Sequence, residues 1–290
     1  MMQDRLNPLN DYLFLKVMGE KGDEEQLCAF LNAVRGRQGQ GPVESVEILE
    51  NRTITAGVIG DKTSILDVLA RTRIGGGLFD IEVQLRNLGN MNRRSLFYWS
   101  LEFSRGLGAG QDYREAPNVI AINIVNYEFL PQVPAFHTSF HIWEDTHRDI
   151  LLTDALEIHF VDMVKFRRLG EKDLRGDALH RWLTWLDWNS PKELVEEVVT
   201  MDAAIRKAEE KLARVSGDKA ALREYQMREL ALSDWTSGIN HAREEGMEKG
   251  MEKGMEEKAK EVARNLRQLG LPVEQTAQAT GLSPEDIAKL

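Results

Sequence analysis

Two acids and an amide stand out by type and spacing: Asp67, Glu82 and Gln84, all within the stretch Asp61–Arg86, DKTSILDVLARTRIGGGLFDIEVQLR. Asp67 lies between Leu66 and Val68, and Glu82 between Ile81 and Val83. A carboxylate in a central strand is costly unless it is paired or bound to a cation. If the two runs pair across the intervening turn, both carboxylates converge on one point, with the Val83 carbonyl as a natural third ligand. Such an all-oxygen site suits Mg²⁺, Mn²⁺ or Ca²⁺ and not a soft metal. The same two residues also read as solvated acids on an exposed sheet face.

The elements that must position these residues are a β-hairpin. Ile65, Asp67 and Leu69 fall on one face of the first run, with Leu66, Val68 and Ala70 on the other. Phe79, Ile81, Val83 and Leu85 share one face of the second run, and Asp80, Glu82, Gln84 and Arg86 share its opposite face. Period-two alternation around the glycine-rich turn Gly75–Gly77 predicts two antiparallel strands.

An Asp late in one strand followed by Glu-x-Gln on the next resembles the PD-(D/E)xK nuclease core. More closely, the chain resembles the branch of recombination-promoting nucleases, also described as transposases. LNPLNDYLFLKVMGE and LCAFLNAVRG (6–20 and 27–36) are similar to the opening of that branch. RRSLFYWSLEFSRGLGAGQDYREAPNVIAINIVNYEFL (93–130) is similar to its following helix and strand. A Gly-Met-Glu-Lys repeat followed by VARNLRQLGLPVEQTAQATGLSPEDIAKL (262–290) is similar to its tail.

The resemblance implies an α/β fold, a restriction-endonuclease-like core with a mixed sheet, followed by an α-helical C-terminal region. It implies a DNA endonuclease linked to recombination, mobile elements or defence against foreign DNA, with Asp67, Glu82 and Gln84 catalytic and Mg²⁺ held by Asp67, Glu82 and Val83. Most nucleases of the wider superfamily carry Lys where this chain has Gln84. Gln can hydrogen-bond the attacking water but brings no positive charge. Arg86, on the same predicted strand face, either compensates in part or is an exposed charge. Residues 91–107 predict a helix with Arg93, Arg94 and Ser95 near its start. A helix N-terminus with arginines can hold a DNA phosphate, and the same run also reads as a core helix with a solvated end.

The net charge of −10 counts against simple backbone-driven DNA binding. A metal nuclease needs only a local basic rim, which Arg71, Arg73, Arg86, Arg93 and Arg94 supply near the hairpin. Cys28, the single cysteine, lies in an apolar run and reads as a core residue. Residues 1–10 do not read as a signal peptide and no apolar run approaches spanning length, so a cytoplasmic protein without a membrane segment is expected.

The remaining order is a short element at 9–17, a helix at 23–35 N-capped by Asp23, a strand at 43–51, the hairpin, the helix at 91–107 and strands at 118–129, 136–144 and 152–163. His137 and His141 share a strand face but are too far apart to chelate one ion easily. From about residue 171 helices take over. Trp182, Trp185 and Trp188 recur at helical spacing, as a core stripe or an interface anchor. Helices are predicted at 191–215 and 219–246. The repeat at 246–257, with Gly246, Gly250 and Gly254, reads either as a packed helix or as a solvated linker. Two short helices split by Gly281 close the chain, with Ser283 as N-cap. The expected domains are a nuclease-like domain (1–170), a helical region (171–245) and the repeat with its tail (246–290). A homodimer through the C-terminal helices is expected. The rival reading is a non-catalytic module that keeps the fold and acts by binding DNA or a protein.

Overall fold

Phe79, Ile81 and Val83 alternate with Asp80, Glu82 and Gln84 along a strand whose two faces meet different layers. In the computed structural model, which describes residues 5–37, 41–49, 53–54, 64–65, 68–74 and 76–290, this strand is central to a mixed sheet. The strands in chain order are β1 (Val46–Leu49), β2 (Thr53–Ile54), β3 (Ser64–Ile65), β4 (Val68–Thr72), β5 (Leu78–Gln84), β6 (Val119–Val125), β7 (His137–Trp143) and β8 (Leu151–Asp162). Six of them form one sheet in the order β1-β4-β5-β6-β8-β7, and β2 pairs separately with β3. β4–β5 is the predicted antiparallel hairpin, whereas β5–β6 and β6–β8 are parallel. β6, VIAINIV, is buried at every position, as a near-continuous apolar run in a parallel layer should be.

One face of the sheet carries the main core. Phe79, Ile81, Val83, Ile120, Ile122 and Ile124 pack there with residues of α1 (Asp11–Met18), α2 (Glu24–Gly36) and later helices. The other face carries Ala121, Val125, Ile158 and Phe160 against Met91 and Trp99 of α3 (Met91–Arg105). Short α4 (Met163–Arg167) follows β8, with the Asp162 carboxylate accepting from the Lys165 N–H at 3.0 Å.

The later helices are α5 (Ala178–Leu186), α6 (Lys192–Met201) and α7 (Ala203–Gly217). Trp182 and Trp185 are fully buried and meet edge-on at 5.8 Å, and Trp182 meets Phe30 of α2 at 5.7 Å. Trp188 is exposed, so the tryptophan stripe is core for two of its three members. The single helix predicted over 191–215 is two: Asp202 is extended, and its carboxylate accepts from Ala204 N at 3.0 Å and Ile205 N at 3.4 Å, starting α7 afresh. Asp23 does precede α2, but its side chain makes no cap hydrogen bond to the helix. It pairs instead with Lys211 of α7 at 2.6 Å.

The chain divides into two compact units, Met1–Arg228 and Glu229–Leu290. The glycine repeat is helical, inside α8 (Lys219–Gln268). α9 (Val273–Thr280) and α10 (Pro284–Ala288) are split by Gly281 at φ 71°, and the Ser283 side chain caps α10 as expected. Among the described residues no helix is long and apolar enough to cross a membrane.

Candidate active site

The acids of β5 face α3, and that face is covered. Asp80 is 1% exposed and Glu82 3% exposed, so the picture of solvated acids does not hold for this strand. A buried carboxylate needs compensation. For Glu82 it comes from Arg94 in the first turn of α3, whose Nη2 lies 3.1 Å from Glu82 Oε2. The same guanidinium donates through Nη1 to Gln84 Oε1 at 2.9 Å. Gln84 in turn donates through Nε2 to the Arg86 carbonyl at 3.1 Å, which fixes its amide with the oxygen toward Arg94. One planar fork thus joins two residues that alternate along one strand face.

Several contacts hold α3 where Arg94 can do this. Ser95 is buried, and its hydroxyl accepts from Asn123 Nδ2 at 2.8 Å. The same Nδ2 reaches the His159 carbonyl at 3.0 Å, and Asn123 is the β6 residue in register with Glu82. Trp99 Nε1 donates to the Val119 carbonyl at 2.9 Å. Arg94 lies over the ring of Tyr98, one helical turn on, at 5.3 Å. Tyr127, just beyond β6, feels the Arg94 charge. Its hydroxyl is buried without a hydrogen-bond partner among the described residues, and burial pushes its pKa up to about 12.

Of the residues singled out from the sequence, the structure brings together Glu82, Gln84 and Arg94. The Val83 side chain points into the core on the opposite face. Arg93 is exposed at the start of α3, beside Arg94. Ser95 is committed to Asn123. Arg86 lies past the end of β5, where partial burial lowers its guanidinium pKa and the Asp11 carboxylate of α1 opposes that shift. Asp67 lies outside the described residues, as does Gly75. The described hairpin ladder ends with Leu69 opposite Asp80 and Val68 opposite Ile81. Asp80 and Tyr98 were not singled out. Asp80 alternates with Glu82, and Tyr98 is four residues from Arg94, so both carried a periodic signal.

A second polar group occupies the β7–β8 edge of the sheet. His137 Nε2 lies 2.9 Å from His159 Nδ1, His159 Nε2 is hydrogen-bonded to Glu157, and His141 Nε2 lies 3.9 Å from the same Glu157. Burial, reinforced by His159 and Arg37 and opposed by Glu157, lowers the His137 pKa to about 3. Asp154 accepts from Asn118 at 3.2 Å on the surface.

Among the described residues no group of three or more His, Cys, Asp or Glu side chains is arranged to hold a metal ion. The donors around Arg94 nevertheless fit a hard divalent cation. They are oxygens of Glu82 and Gln84, and a positive charge already rests between them.

A mixed sheet with its acids under one helix and its apolar face under the others is the restriction-endonuclease-like core of PD-(D/E)xK proteins, here followed by an α-helical C-terminal region. The chain belongs to the PD-(D/E)XK nuclease family transposase group, whose family model matches residues 8–242. No curated protein and no solved structure matches it.

Proposed function

We propose that the protein is a metal-dependent DNA endonuclease that hydrolyses phosphodiester bonds, acting in recombination, mobile elements or defence against foreign DNA. The observation that carries this reading is buried Glu82 beside half-buried Gln84 on β5, both gathered around one positive charge, in a chain of a nuclease family. In the sequence Asp67 immediately precedes Val68, and Val68 pairs with Ile81, the residue before Glu82. In this reading Asp67, Glu82 and the Val83 carbonyl hold Mg²⁺, with Mn²⁺ or Ca²⁺ as other hard ions of the same class.

Bound there, the ion supplies Lewis-acid polarisation of a phosphodiester and an acidified water. The protein's own groups do the rest. Gln84 orients the attacking water through its amide. Arg93, exposed at the start of α3, binds the DNA backbone together with the N–H groups of that turn. α3, tied down through Ser95 and Asn123, keeps these groups in a fixed relation to β5. The acid excess of the whole chain is tolerated because the DNA meets this local rim.

The protein acts in the cytoplasm as a homodimer formed through its C-terminal helices. α8 supports this: Ile239, Met247, Met251 and Met255 are all exposed along it. Two copies would bring two single-strand cutting sites to one duplex.

The test is nicking of supercoiled plasmid with Mg²⁺. Glu82→Ala and Asp67→Ala should each reduce nicking to background while the far-ultraviolet spectrum stays that of the wild type. Equal nicking by wild type and both variants would remove the catalytic assignment.

A further inference from the structure

We propose that Arg94 is a displaceable counter-ion of this site: it neutralises Glu82 while no metal is bound, gives way when a divalent cation binds, and then supplies to the DNA phosphate the positive charge that Gln84 lacks. The inference rests on the endonuclease reading and specifies how its site is regulated.

Its basis is what the guanidinium touches. Glu82 is 3% exposed, and Arg94 meets it at 3.1 Å. A second N–H of the same fork reaches the Gln84 oxygen at 2.9 Å. Arg94 therefore holds a carboxylate oxygen that the proposed cation would use, and with it the amide oxygen of the residue proposed to orient the water. A dication on Glu82 would stand within a few ångströms of this guanidinium in a partly buried site, where like charges repel strongly. The two cations compete for one carboxylate.

Arg94 is also built to leave. Its side chain is 28% exposed, so it sits at the boundary between the sheet and solvent. Its Nε is buried and has no hydrogen-bond partner among the described residues, so the present position leaves one of its five donors unused. The guanidinium already rests over the face of Tyr98 at 5.3 Å, one turn along α3, a contact that does not depend on Glu82. Exposed Arg93 is its neighbour, so a displaced Arg94 joins a second guanidinium at the helix N-terminus, where a phosphate is favoured.

A fixed strut would behave in the opposite way. If Arg94 only held Glu82 in shape, its loss would loosen the site and weaken metal binding. If it competes, its loss removes a rival cation from Glu82 and strengthens metal binding, although nicking suffers. The sign of the change in metal affinity separates the two.

The experiment is calorimetric titration of the metal-free full-length protein with Mn²⁺, alongside the kcat of plasmid nicking. Arg94→Gln should bind Mn²⁺ about tenfold more tightly, the size expected for removing one nearby like charge, while kcat falls. Arg94→Lys, which keeps the charge, should bind Mn²⁺ close to the wild-type affinity. Arg94→Met, also neutral, repeats the test should the Gln variant misfold. Unchanged or weaker Mn²⁺ binding in a folded neutral variant overturns the proposal. Glu82→Ala locates the binding: if wild type shows neither Glu82-dependent Mn²⁺ binding nor nicking, the endonuclease reading fails and takes this one with it. If wild type shows both and the neutral variants do not tighten, only the role of Arg94 fails.

Discussion

Gln84 uses both ends of its amide, one on Arg94 and one on a backbone carbonyl, so its replacement has two separable effects. Gln84→Leu should cost about 1–2 kcal/mol in urea denaturation, because it removes a hydrogen bond to a charged group. It should also remove nicking, if the amide orients the water. Gln84→Lys is less simple than sequence suggests, because the new ammonium would stand beside the Arg94 guanidinium. Some nicking should survive in Gln84→Lys, and more in Gln84→Lys/Arg94→Gln, where one positive charge remains. Equal rates in the single and double variants would show that the two side chains do not compete. His137 gives a residue-scale prediction independent of catalysis. Unfolded, its imidazole takes up a proton below about pH 6.5; folded, it does so only near pH 3. Between those values the unfolded chain binds the extra proton, so this group lowers stability as pH falls through that window. Its ring resonances should stay in the neutral position from pH 8 to below pH 5, and titration near pH 6.5 in the folded protein would refute this.

At the scale of elements, the site depends on how α3 and the later helices are fastened. Trp182 of α5 fills the space against Phe30, and Trp182→Ala should cost about 3–5 kcal/mol by thermal or chemical denaturation. Asp202 starts α7 and also meets Arg181 at 3.4 Å. Asp202→Ala should cost roughly 1 kcal/mol, the usual size for a lost cap. Much of this scaffold was legible in the sequence. Alternation gave the two faces of β5, the continuous apolar run gave β6, and Gly281 with Ser283 gave the last helix break. Each is a local pattern with a fixed period or a fixed turn chemistry. The Glu82–Arg94 pair was not legible, because its partners lie twelve residues apart on a strand and a helix. No periodicity links such positions; only packing does. The Asp202 break went unread because the apolar pattern runs on through it, while the cap acts on two backbone N–H groups. The helicity of the glycine repeat stayed open because each Gly costs about 1 kcal/mol relative to Ala.

For the whole molecule, the sequence boundary at about residue 171 does not mark where the packing ends. The helices from α5 to α7 complete the core with α1 and α2, and Arg228 still reaches Asp11 of α1. A fragment ending at Arg228 should therefore fold, with a cooperative melt near that of the full chain. A fragment ending at residue 170 should be unfolded or aggregated, since it lacks Trp182 and Trp185. If association belongs to the C-terminal helices, the full chain should sediment as a dimer at micromolar concentration and the fragment ending at Arg228 as a monomer. A monomeric full chain would end the dimer proposal.

Because the same core is built from both ends of the first unit, synthesis imposes a wait on it. The apolar faces of α1 and α2 leave the ribosome long before Trp182, Trp185 and Leu212 exist to cover them. At a translation rate of ~5–20 residues per second, the interval from α1 to the end of α7 is on the order of 10–40 s. During that time the nascent chain presents an uncovered greasy helical pair, a natural client for holdase chaperones. Codon choices that slow translation between α2 and α5 should therefore lower soluble yield without altering the finished protein.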